Sequence, residues 1–110
     1  MNPMSDLREM QARAYADSAF WFPPVHGDIA FLSLGLGGEV GEVQNAVKKY
    51  VRGSMSLTDM VELLKGELPD VLIYLLDLAE ACKIDLPAAL ETKRAELIER
   101  WGDPLQEINT

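Results

Sequence analysis

The chain has 110 residues, of which 48% are hydrophobic and 25% charged, and a formal net charge of −8. That length supports one hydrophobic core and leaves no room for a second domain, so residues 1–110 read as a single unit of ordinary globular composition. The acidity argues against non-specific binding to nucleic acid or to an anionic membrane, and it makes an anionic ligand puzzling unless a cation intervenes. The single cysteine, Cys82, excludes a disulfide framework and points to a cytoplasmic setting. Lying in an apolar helical run, it reads as a buried, inert thiol. The opening Met1-Asn2-Pro3-Met4-Ser5-Asp6 has neither the basic flank nor the apolar run of a secretion signal. The apolar stretch from Ile29 to Gly38 is too short to cross a bilayer.

Residues 5 to 20 predict a first helix capped by Ser5, with Leu7, Met10 and Ala14 at helical spacing and Arg8, Glu9, Arg13 and Asp17 in water. Phe20-Trp21-Phe22-Pro23-Pro24 ends it, because two prolines cannot continue a helix. The aromatic triplet is either a hinge packed on the core or a platform for a flat ligand such as a nucleobase, with Trp21 the best placed. His26 follows, and a lone histidine beside a glycine favours a structural role over catalysis.

The second helix spans about Asp28 to Val51, with Ile29, Leu32, Leu36, Val40, Val43 and Val47 on one stripe. Gly35, Gly37, Gly38 and Gly41 fall in its interior, each costing roughly 0.8–1 kcal/mol against alanine. Close approach of a neighbouring helix or a ligand is the physical use of those missing side chains. A G-x-G-x-x-G phosphate loop counted from Gly35 fails, because Val40 stands where glycine is required and no strand precedes it. Residues 52–57 form a connecting loop, and Ser56 or Thr58 caps a third helix that reaches Ala81 or Cys82. From Val71 to Leu78 this helix is apolar nearly all round, which in so small a chain predicts a subunit interface. Pro69 in its interior predicts a bend. Asp85 and Pro87 open a last helix with Leu86, Leu90, Leu97 and Trp101 on one stripe; Gly102-Asp103-Pro104 stops it, and 103–110 reads as a mobile tail beyond a core of about 5–102.

Two acidic pairs dominate the chemistry: Glu39-Val40-Gly41-Glu42 and Glu67-Leu68-Pro69-Asp70. Residues three apart on a helix share a face, so each pair sets two carboxylates side by side in apolar surroundings. Such charges repel, and burying them unpaired costs several kcal/mol in order of magnitude, so a cation is expected among them. An oxygen-only donor set selects Mg²⁺, with Mn²⁺ as a substitute or Ca²⁺, whereas zinc and copper call for histidine or cysteine. A di-iron centre needs Glu-x-x-His twice, and a glycosidase pairs its carboxylates across a cleft. Metal chelation resolves the charge puzzle, since an acidic protein can hold a polyphosphate through Mg²⁺. Glu39 or Glu42 could then orient an attacking water for phosphoryl transfer.

At about 100° per residue, Lys49 lies about 80° from Glu39 and about 20° from Glu42, on the carboxylate face, while Lys48 points away. Lys49 is either a salt-bridge partner of the acids or a phosphate contact. Lys93 shares the apolar stripe of the last helix and either snorkels or reaches an anion in the cluster. Asp77, two turns beyond Asp70, is either a further member of the cluster or an exposed solubilising charge.

Gly-Glu-Val-Gly-Glu at 38–42 followed by Glu-Leu-Pro-Asp-Val-Leu-Ile-Tyr-Leu at 67–75 resembles the MazG-like, all-α nucleoside triphosphate pyrophosphohydrolases, whose signature is Glu-x-x-Glu, a spacer, then Glu-x-x-Asp. The resemblance covers about residues 28–102 and includes the Ala-Leu-Glu-Thr-Lys-Arg of the last helix. It implies an all-α, four-helix bundle-like domain that assembles as a dimer or a dimer of dimers. It also implies Mg²⁺-dependent hydrolysis of a nucleoside triphosphate, a deoxynucleotide foremost, to the monophosphate and pyrophosphate, in nucleotide-pool sanitation or control. Glu39, Glu42, Glu67 and Asp70 would hold the metal, with Lys49, Lys93 and Trp21 as substrate contacts. Pro69, Gly66 and Leu97 depart from the family pattern, Leu97 standing where many relatives carry an asparagine that touches nucleotide. Pro69 and Leu97 favour a competing expectation, a catalytically idle helical module kept for oligomerisation or partner binding, while the intact Glu39, Glu42, Glu67 and Asp70 count against it; a third expectation is a protein that binds Mg²⁺ or Mn²⁺ without turnover.

Overall fold

The computed structural model describes residues 3–105, and side chains from residue 6 onward. The architecture is all-α. Helix α1 spans Pro3–Trp21, α2 Ile29–Val51, α3 Leu57–Ala81 and α4 Leu86–Trp101, with a single 3₁₀ turn at Pro23–Val25 between the first two. No strand occurs among the described residues.

The helix ends follow local chemistry. Asp28, Ser56 and Asp85 each cap a helix, their side chains accepting from the amides of Phe31 (3.0 Å), Asp59 (3.1 Å) and Ala88 (3.2 Å). Each such cap contributes about 0.5–2 kcal/mol by satisfying an otherwise unpartnered first-turn N–H. Ser5 does not cap α1, because the helix already includes it from Pro3 onward, and proline suits a first turn. Helix α2 closes where Ser54 N–H donates to the Lys49 carbonyl (2.8 Å), with Gly53 at φ 84°, a left-handed position glycine takes without strain. Helix α3 closes the same way, Ile84 N–H donating to the Ala79 carbonyl (2.9 Å) while Lys83 takes the left-handed position. Pro69 sits inside α3 without interrupting it.

Helix α3 is the hub: α2 packs along it most extensively, and α1 packs on it as well, while α4 rests on α1. A closed four-helix bundle is therefore not what one chain forms. The core is small, centred on Leu32, Ala46, Leu76 and Ala79. One polar clasp sets the position of α4. Gln11 is fully buried; its amide donates to Glu80 Oε2 (2.9 Å) and to the Ile84 carbonyl (2.6 Å), and accepts from the Leu86 amide (3.1 Å). Arg8 forks onto the same Glu80 carboxylate at 2.7 and 3.3 Å.

Several expectations are corrected by this packing. Cys82, the cap residue that follows α3, is exposed and not buried, since it sits past the helix's last turn. Along the stripe of α4 only the start is covered: Leu86 is half-buried, whereas Leu90, Leu97 and Trp101 are exposed. Of the glycines inside α2, only Gly35 is closely approached; Gly37, Gly38 and Gly41 face open space. The apolar run of α3 is only partly covered, with Leu72, Ile73 and Leu75 exposed. No helix among the described residues is long and apolar enough to cross a membrane. Residues 106–110 of the expected mobile tail lie outside the described residues.

Candidate metal centre

The α2–α3 contact is close because α2 lacks a side chain where α3 needs room. The ring of Tyr74 lies directly over Gly35, and Phe31, one turn earlier on α2, packs against the same ring at 6.4 Å between centroids. One turn further along α2, Glu39 faces Glu67 and Asp70, which the i, i+3 spacing sets on one face of α3. Carboxylate oxygens of Glu39, Glu67 and Asp70 all lie within 4.8 Å of one another. Glu39 and Glu67 are half-buried and Asp70 is exposed, so the group is open to solvent on one side.

The electrostatics record the strain. Glu39 is pushed above the ordinary carboxylate value, first by a side-chain hydrogen bond with Glu67 that needs a proton between the two acids, then by desolvation, then by repulsion from Asp70, Glu67 and Glu42. A divalent cation among the three acids would relieve that repulsion. Ligand oxygens around Mg²⁺ at about 2.0–2.1 Å are at most about 4.2 Å apart, so small side-chain rotations bring the trio onto one ion. The donor set, oxygens with no histidine or cysteine, fits a hard cation.

The predicted site residues divide into three groups. Glu39, Glu67 and Asp70 come together. Glu42 is exposed and outside the trio, though close enough to add to the repulsion on Glu39. The lysines do not join the acids within one chain: Lys93 pairs with Glu96 on the exposed side of α4 (3.0 Å), which packs on α1 and not on the acidic helices, and Lys49 makes no ion pair among the described residues. Trp21 is well exposed and lines a cavity of about 540 Å³ beside the acids.

That cavity is the larger part of the site. Glu39 and Asp70 stand at its edge, Trp21, Phe31, Leu72 and Tyr74 contribute apolar wall, and His26 and Asp77 supply polar groups. Sequence reasoning missed Asp77: it is neither a fourth member of the acidic group nor a solvated charge, but a side chain only 4% exposed. Its seven-residue step from Asp70 is two turns of helix, which carries it past the acids to a level where α1 covers α3. His26 packs against Tyr15 with ring centroids 4.1 Å apart. Comparison with protein-family models, with curated proteins and with solved structures returns no match for this chain.

Proposed function

We propose that the protein is a Mg²⁺-dependent nucleoside triphosphate pyrophosphohydrolase, Mn²⁺ serving as a substitute, which splits the α–β phosphoanhydride to release pyrophosphate. The observation that carries this reading is one juxtaposition: three carboxylates converging within 4.8 Å at the edge of a largely apolar cavity of about 540 Å³. Chelating acids alone would suit many metal proteins. Acids beside an aromatic cavity suit a ligand that is a polyphosphate at one end and a flat heterocycle at the other.

Glu39, Glu67 and Asp70, with Glu42 at their margin, are the residues that would hold the metal. When bound, Mg²⁺ supplies charge neutralisation to the phosphate oxygens and lowers the pKa of a water. Glu39, whose carboxyl is raised first by Glu67 and then by burial and its acidic neighbours, is the more basic carboxylate when ionised and so the one suited to accept a proton from an attacking water. Trp21 and the apolar walls exclude bulk water on the nucleoside side, and Lys49, half-buried on α2 at a position that shares the helical face of Glu42, is the basic group of that helix to offer a phosphate. Lys93 serves only if a second copy brings its α4 to the acids of the first. A homodimer, or a dimer of dimers, is part of this reading, because the exposed apolar faces of α2, α3 and α4 need cover. The alternative, an idle helical module that oligomerises or binds a partner, rests on those same faces and on Pro69 and Leu97.

Incubating the protein with each nucleoside triphosphate and Mg²⁺ decides between them. Monophosphate and pyrophosphate are expected, and Glu42→Gln or Asp70→Asn should abolish their release while the circular dichroism stays unchanged. Release of inorganic phosphate with diphosphate would reject attack at the α-phosphorus, and no release with any nucleotide would favour the idle module.

A further inference from the structure

Two polar atoms of residues that line the cavity have no hydrogen-bond partner among the described residues. Asp77 is 4% exposed, and its Oδ1 has no hydrogen-bond partner; the Nε2 of His26 is likewise buried without one. Buried polar atoms in folded proteins are partnered almost without exception, so two orphans on one cavity wall mark a place where a ligand completes the bonding. Both residues line the cavity whose mouth carries Glu39 and Asp70. They are also near enough to each other for the imidazole to act on the carboxyl.

We propose that Asp77 and His26 anchor the heterocycle of the bound nucleotide, Asp77 Oδ1 accepting an N–H from the base while His26 Nε2 meets the ring's neighbouring acceptor. This rests on the nucleotide reading above and assigns the end of the ligand remote from the metal. The walls suit a flat ring, since Trp21, Phe31 and Tyr74 all border the space. The chemistry suits a base, since every nucleobase presents an N–H donor beside an acceptor. The partnering is also selective: a site that has already desolvated its acceptor discriminates strongly against a ligand lacking the matching donor. Burial raises the Asp77 carboxyl above its ordinary value, offset in part by Ser18 and His26 and reinforced by Asp17. Arg13 and Asp17 of α1, Glu39 of α2 and Asp70 of α3 are the charged groups that share the cavity. Asp77 acts here as a base-binding residue, two helical turns along α3 from Asp70.

The test uses free nucleosides and the intact chain without divalent metal, with affinities read by titration calorimetry or ligand-observed NMR. Adenosine and guanosine are compared with purine riboside, cytidine with 2-pyrimidinone riboside, and uridine with 3-methyluridine, so that each comparison removes the base's N–H donor. At least one natural nucleoside should bind tenfold or more tightly than its analogue. Asp77→Leu should erase that ratio, Asp77→Asn, which keeps an acceptor oxygen, should retain it, and His26→Phe should weaken parent and analogue alike. Equal affinities in every comparison, or no saturable binding of any nucleoside, overturn the proposal on the wild-type chain alone, whether or not the Leu variant folds. A ratio that survives Asp77→Leu overturns it equally. Because no metal and no turnover are involved, hydrolysis without base discrimination sinks this assignment and spares the catalytic one, and discrimination without hydrolysis does the reverse.

Discussion

The ring of Tyr74 occupies the space that Gly35 leaves empty: a Cβ built on Gly35 would come within 2.6 Å of Tyr74 Cζ and 2.8 Å of Cδ1. The contact sets the separation of α2 and α3 one turn before Glu39, so it governs whether the carboxylates of the two helices meet. Gly35→Ala gains helix propensity of about 0.8–1 kcal/mol but forces the ring aside at an overpacking cost of typically 1–3 kcal/mol. The expected net outcome is destabilisation by about 1 kcal/mol in urea unfolding, together with weaker Mg²⁺ binding. Gly66→Ala is the control, because a Cβ there would meet no described atom within 4 Å beyond its chain neighbours and the adjacent backbone of its own helix, and it should stabilise by up to about 1 kcal/mol.

The clasp around Gln11 and Glu80 predicts a pH dependence of stability. The Glu80 carboxyl is held below its ordinary value, chiefly by the Arg8 hydrogen bond and in smaller part by Arg8's charge and Gln11, against the opposing effect of burial. A depressed acid contributes stability that is present above its unfolded value of 4.5 and is lost as pH falls through the folded value. Acidification below that point should therefore loosen α1 from α3 in the wild type, and Glu80→Gln should show a shallower loss over the same interval. Thermal unfolding followed at several acidic pH values measures both slopes. Gln11→Ala goes further, because it strands the Leu86 amide and the Ile84 carbonyl, at about 1–3 kcal/mol for each group left buried and unpartnered.

Glu39 predicts opposite signs for stability with and without metal. Its raised value means that, at neutral pH, ionising it against Glu67, Asp70 and Glu42 works against the fold. Glu39→Gln keeps a hydrogen-bonding partner for Glu67 and removes one charge, so the metal-free variant should melt above the wild type. Added Mg²⁺ or Mn²⁺ should raise the melting temperature of the wild type in proportion to the logarithm of its concentration once the site is saturated, and should do little for the variant. Chelation with EDTA should return the wild type to its lower value. A variant that melts lower without metal, or that responds to Mg²⁺ as the wild type does, contradicts the assignment of Glu39.

Where a local signal decides structure, the sequence carried it. The caps at Ser56 and Asp85, the glycine stop at Gly53 and the break at Pro23-Pro24 lie within a few residues of the ends they control, and the four helices follow from them. Of the four acids expected together, i, i+3 spacing and the pairing of two neighbouring helices bring Glu39, Glu67 and Asp70 into one group, while Glu42 stays exposed outside it. What depended on which helix lies against which was not legible in the sequence. Asp77 is buried because α1 crosses α3 at its level, and Lys93 faces solvent because α4 rests on α1. Cys82 is exposed because α3 ends one residue before it, a difference of a few tens of degrees in direction that periodicity cannot resolve.

The shape of the chain predicts association. A compact chain of 110 residues has a radius of gyration of about 13 Å, and this one has 17.3 Å. Its accessible surface is 8014 Å², whereas a folded monomer of 12.2 kDa exposes about 6,100 Å². The excess of roughly 1,900 Å² per chain exceeds the roughly 800 Å² that each partner contributes to a standard stable interface, and it is of the order that obligate dimers bury. Much of it is apolar: Leu34 on α2 is 78% exposed, Val51 75% and Trp101 75%. Sedimentation equilibrium at micromolar concentration should return a mass of twice 12.2 kDa or a higher even multiple. Leu34→Glu, which sets a charge at an uncovered apolar position of α2, should shift the population toward monomer and lower the melting temperature with it. A wild-type chain that sediments as a stable monomer would leave the uncovered faces of α2, α3 and α4 without a role in self-association.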